Sequence, residues 1–75
     1  MDEKIIGIFR EILNDPTLDI DENTTAADVN GWDSFNHINL IMCIEDEYSI
    51  SFTTAEIGQM GRVADLLRMI KSKTS

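Results

Sequence analysis

The sequence predicts an all-α fold: a bundle of four helices, three major and one short, with a long first loop. Three observations carry this. Apolar residues recur at helical spacing in three separate segments. Strand-like alternation is confined to Ser49-Ile50-Ser51-Phe52, which reads as a loop plugged into the core. The chain has 75 residues and is 43% hydrophobic, enough for one thin core and too little for two.

The elements follow in order. Ile5, Ile8, Phe9 and Ile12 fall at i, i+3, i+4 and i+7, so residues 3–13 form the first helix. Asp2 and Glu3 suit its positive end, and Asn14-Asp15-Pro16 stops it. Residues 14–33 hold no helical period. Leu18, Ile20, Val29 and Trp32 are spaced apolar anchors, so this loop is ordered and pinned, with a turn at Asn30-Gly31. Residues 34–48 form the central helix. Thr53 to Glu56 fits a capping box for a short helix over 53–58. Val63, Leu66, Leu67 and Ile70 repeat the helical spacing over 62–71, and Lys71 and Lys73 suit the negative end of that helix.

Charge narrows the function classes. There are 14 acids against 6 bases, a net charge of −8. Residues 11–61 contain eleven acids and no Lys or Arg. A nucleic-acid binder would present a basic face, and a binder of anionic membranes a basic amphipathic helix. Both classes are disfavoured. The negative middle either steers basic partners or simply keeps the chain in solution. A single cysteine, Cys43, precludes an internal disulfide and a cysteine zinc cluster. It sits on the exposed side of the central helix without positive charge nearby, so an inert thiol is expected. Asp19, Asp21 and Asn23 have the first spacings of a calcium loop, but Thr24 and Asn30 stand where that loop needs Gly and Glu. No metal site is expected. With no signal peptide and no apolar run near 18 residues, the expected location is cytoplasmic.

The central helix carries two apolar stripes. Leu40, Ile41, Ile44 and Tyr48 gather on one side as a core stripe. Phe35, Ile38 and Met42 form a second, displaced by roughly 120°. Glu45 falls inside the combined arc, and Asp46 and Asn39 lie just beyond Met42. A three-helix bundle buries one stripe fully. The second is either a transient docking face with an acidic rim or folds inward against the long loop. Met42 favours docking, since Met adapts to several partners.

Ser34 stands where the loop enters the central helix, and Asp33 or Ser34 caps it. The same geometry offers unpaired N–H groups and a positive dipole end, which tolerate a phosphodiester on Ser34. Serine-hydrolase chemistry fails on placement: there is no Gly-x-Ser-x-Gly elbow, and His37 is the only histidine. His37 lies near the core stripe, as a half-buried, hydrogen-bonded imidazole.

At Gly31-Trp32-Asp33-Ser34-Phe35 the chain resembles the acyl carrier proteins, which depend on phosphopantetheine. The resemblance covers nearly its whole length, through helix order, acidity and Glu45-Asp46-Glu47-Tyr48. It implies a single carrier domain over residues 1–75, with 4'-phosphopantetheine on Ser34. A phosphopantetheinyl transferase would add it from coenzyme A with Mg²⁺, and Asp33 would help present that metal. The arm's thiol carries acyl groups as thioesters. Phe35, Met42, Glu45 and Asp46 match positions that would dock partners: a ligase or acyltransferase that loads cargo, and synthases or transferases with basic patches. Ile38 joins them from the second apolar stripe. The bundle interior can open to shelter the acyl chain. A non-catalytic monomer is implied, serving fatty-acid, polyketide or related specialised biosynthesis. Asn36, His37 and Asn39 make the start of the docking face less negative than in fatty-acid carriers, and Trp32 is also less typical of them. A peptidyl or aminoacyl carrier is the nearest alternative, and a small helical adaptor without a prosthetic group the other.

Overall fold

The computed structural model describes residues 2–74. It contains four α-helices: α1 (Glu3–Ile12), α2 (Ser34–Tyr48), α3 (Thr54–Gly58) and α4 (Val63–Thr74). No strand occurs among the described residues, and the one bridge pairs Thr25 with Arg62. The all-α expectation holds.

Helices α1, α2 and α3 each begin at a side-chain oxygen that accepts from an otherwise unpaired N–H. Asp2 caps α1 by accepting from the Lys4 N–H. Thr53 and Glu56 form the reciprocal capping box of α3. Helix α4 runs to Thr74, beyond the expected end at residue 71, because Lys71 and Lys73 suit the last turn and nothing in Lys71-Ser72-Lys73 breaks it.

One face of each major helix meets in the core. Phe9 and Ile44 are fully buried, with Ile5, Leu40, Ile41, Met60, Val63 and Leu66 packed around them. The long loop is pinned as its apolar residues require: Ile20, Val29 and Trp32 are buried and Leu18 packs alongside them. Trp32 meets Phe9 edge to face, with ring centroids 5.0 Å apart. Phe52 enters the core, as the alternation at 49–52 indicates.

Two local readings change. The loop contains a 3₁₀ turn over Ala26–Asp28, held where the Asp28 carboxylate accepts from the Thr25 N–H at 3.0 Å. One turn is too short to leave a period in the sequence. Cys43 is half-buried rather than on the exposed side.

Long-range backbone bonds tie the loop to α4. The Val63 N–H donates to the Thr24 carbonyl at 2.9 Å, and the Ala64 N–H to that of Glu22 at 3.0 Å. The loop is thereby clamped to α4 near its middle and delivers its end to the start of α2.

Candidate functional site

Gly31 turns the chain into α2 at φ 90°, a left-handed conformation that costs glycine little. The Asn36 side-chain amide donates to the Gly31 carbonyl at 2.8 Å and locks this turn. Asp33 is the cap: its carboxylate accepts from the Asn36 N–H at 2.9 Å, and its carbonyl from the His37 N–H at 2.8 Å. Ser34 is therefore the first helical residue and is exposed. Its hydroxyl stands at the positive end of a 15-residue helix, and the neighbouring carboxylate is already engaged in the cap.

A cavity of about 450 Å³ opens beside Ser34. Trp32, His37 and Ile38 wall one side, Ile57 and Met60 the other. Gly58 and Gly61 also line it, and a Cβ on either would meet nothing within 4 Å.

His37 braces this cavity. The Trp32 indole N–H donates to His37 Nδ1 at 3.0 Å. An indole nitrogen only donates, so Nδ1 accepts and the ring proton sits on Nε2. That N–H donates to the Ile57 carbonyl, 2.9 Å away. One imidazole thus joins the long loop, α2 and α3. Pulling α3 off α2 would break this half-buried bond, at about 0.5–1.5 kcal/mol. The sequence indicates a hydrogen-bonded half-buried histidine; it does not reveal these partners, five and twenty residues away.

The second stripe of α2 is exposed. Phe35 is 75% accessible, Ile38 47% and Met42 61%, the large exposed hydrophobics among the described residues. The alternative in which they fold against the loop does not occur. The acids near them divide. Asp46 is exposed and forms no ion pair among the described residues. Glu45 is half-buried, and its carboxylate accepts from the Phe52 N–H at 2.8 Å. Glu45 therefore anchors the α2–α3 connection, a role the helical wheel conceals because Phe52 lies in a loop.

Asp21 closes its own turn, accepting from the Asn23 N–H at 2.8 Å and from the Thr24 hydroxyl at 3.2 Å. No cluster of potential metal ligands occurs among the described residues.

Residues 3–70 match the family described as "Phosphopantetheine attachment site". The chain belongs to the phosphopantetheine-dependent acyl carrier proteins. It is 31% identical over 74 residues to an acyl carrier protein of Thermosynechococcus vestitus, covering 97% of this chain and 90% of that one. It is 29% identical over 72 residues to one from Clostridium acetobutylicum, covering 96% and 94%. The fold also matches the solution structure of a holo acyl carrier protein from Geobacter metallireducens. The TM-score is 0.86 and the identity 32%, over 95% of this chain and 82% of that one. As an acyl carrier protein the chain uses 4'-phosphopantetheine as prosthetic group. The site suits such an arm: an exposed hydroxyl at a helix N-terminus, beside a cavity with room on its glycine side. No helix among the described residues is long and apolar enough to cross a membrane.

Proposed function

We propose that Ser34 is the attachment point of the arm and that residues 1–75 act as one monomeric carrier domain, cytoplasmic and without catalysis of its own. The observation that carries this reading is the placement of Ser34. It is the exposed first residue of α2, next to the cap Asp33 and on the rim of the cavity. The bound arm supplies a terminal thiol, on which acyl groups are held as thioesters.

The chain's own residues do the rest. Asp33 holds the start of α2 open and keeps its carboxylate beside Ser34, where a transferase's Mg²⁺ can approach. Phe35, Ile38 and Met42 give partners an apolar face, and Asp46 gives it a negative edge. Glu45 keeps its negative charge while it accepts from the Phe52 N–H, and adds to that edge from a half-buried position. Partners with basic patches would meet this face: the phosphopantetheinyl transferase, the ligase or acyltransferase that loads cargo, and the synthases and transferases that use it. Tethering raises the effective concentration of the bound intermediate at each partner in turn.

Family membership sets aside the adaptor that carries no prosthetic group. Acyl cargo is favoured over aminoacyl by the relatives, both named acyl carrier proteins, and by the acidity of the chain. The test is to incubate the protein with coenzyme A, Mg²⁺ and a broad-specificity phosphopantetheinyl transferase, then weigh it. The expected result is the mass of one phosphopantetheine on the wild type and none on Ser34→Ala. A gain that survives Ser34→Ala places the arm elsewhere.

A further inference from the structure

His37 is the one histidine of the chain, and both of its ring nitrogens are in use. The use is specific to one charge state. Nδ1 accepts from an indole N–H, a group that can only donate. An imidazolium carries a proton on both nitrogens and accepts nowhere, so it would set two donors 3.0 Å apart. The bond to the Ile57 carbonyl would survive, because Nε2 donates in either state. Protonation therefore cuts one specific link, between Trp32 and α2. Trp32 is buried, packs on Phe9 and walls the cavity beside Ser34.

Charged side chains stand on the long loop, α3 and α4. Within the cavity lining the only other ionisable side chain is Asp33, whose carboxylate is bonded to the Asn36 N–H. On the long loop Asp28 is bonded to the Thr25 N–H. On α3 Glu56 is held by the Thr53 N–H and by Lys73 of α4. Arg62, before α4, is exposed, and Asp65 of α4 pairs with Arg68. None of these groups hydrogen-bonds to the imidazole, so the Trp32 bond stands or falls with the ring's own proton.

We propose that His37 is a proton-operated latch on the cavity beside Ser34: neutral, it ties Trp32 to α2; protonated, it releases Trp32 and opens the cavity mouth. The latch needs no prosthetic group. Its consequence for cargo, sheltered when closed and exposed when open, rests on Ser34 being the attachment point, and the intact mass checks that separately.

The test uses ¹⁵N-labelled protein, with and without the arm, followed from pH 8 downward until the ring ¹⁵N signals themselves report protonation. At pH 8 the ring ¹⁵N signals should report a neutral Nε2–H tautomer. The protection of the Trp32 indole N–H, measured against free tryptophan at each pH, should fall about two- to tenfold as the ring protonates, the weight of one lost hydrogen bond. His37→Gln can accept from Trp32 and donate to Ile57 without titrating, so its indole protection should stay level across the range. A Nδ1–H tautomer overturns the proposal. So does protection that stays constant while the ring protonates, or a Gln variant that follows the wild type. Should His37→Gln fail to fold, the ring signals and indole protection of the wild type still decide.

Discussion

The two ends of α2 are built to opposite purposes. At the C-terminal end Glu45, Glu47, Tyr48 and Ser49 tie the helix down, and Asp46 is left on the exposed face. Ser49 closes it in a left-handed conformation at φ 54°. The Tyr48 hydroxyl donates to Asp2 at 2.7 Å, Glu45 holds the Phe52 N–H, and Glu47 pairs with Lys4. At the N-terminal end the cap is satisfied within its own turn, and Ser34, Phe35 and Ile38 are left exposed. The same helix is a structural strut at one end and a presentation surface at the other. A negative charge on it can therefore serve the fold or a partner, depending on which end and which face holds it.

The sharpest way to break this comparison is to truncate one aromatic on each side. Phe9→Ala should cost about 3–5 kcal/mol, which in so small a domain approaches complete unfolding. Phe35→Ala should change stability by no more than about 0.5 kcal/mol while weakening binding of the transferase. Thermal melts and transfer kinetics on the two variants measure both. Equal destabilisation would mean that Phe35 belongs to the core.

A second pair separates the acids. Glu45→Ala leaves the Phe52 N–H without its carboxylate and should cost about 1.5–3 kcal/mol in denaturant unfolding. Asp46→Lys should leave stability within about 0.5 kcal/mol yet weaken docking to basic partners, as added salt does to the wild type. Docking indifferent to both changes would reduce the acid to a solubilising role.

Loss of the cap comes next. Asp33→Ala should cost about 1 kcal/mol of stability, and Asp33→Asn, which can still cap, much less. If the carboxylate also helps to present the transferase's metal, both variants should slow arm transfer. A rate for Asp33→Asn equal to wild type would confine Asp33 to capping.

The smallest effect is expected at the ties between chain ends and bundle. The Tyr48 hydroxyl, then the Lys4 N–H, holds the Asp2 carboxyl below its ordinary 3.8. The Thr53 N–H, then Lys73, holds Glu56 below its ordinary 4.5. A lowered carboxyl stabilises the fold above its unfolded value, and that contribution is lost as pH falls through the folded value. Stability should therefore decline below about pH 4. The double variant Asp2→Asn, Glu56→Gln should show a flatter acid limb. Tyr48 has the opposite sign. Burial first, then the bond to Asp2, pushes its hydroxyl from 10.0 up to about 12, so its contribution is lost as pH rises through that interval.

What was legible in the sequence was local. The start of α1 at Glu3, the span 34–48 and the Thr53–Glu56 box all follow from period and cap, which act over three or four residues. The exposed stripe of Phe35, Ile38 and Met42 was legible because one helix cannot turn two faces toward one core. The rest depends on contacts across the chain. Glu45 meets Phe52 only because Ser49 reverses the backbone, and His37 reaches Ile57 only once α3 folds over α2. The 3₁₀ turn left one usable signal, Thr25 three residues before Asp28, the spacing of a cap.

The most direct test of the whole account is the intact mass of the protein isolated from its own cells, with the modified residue located by fragmentation. The account predicts one phosphopantetheine, free or acylated, on Ser34. A native chain with the arm on another residue, or with none, would contradict it.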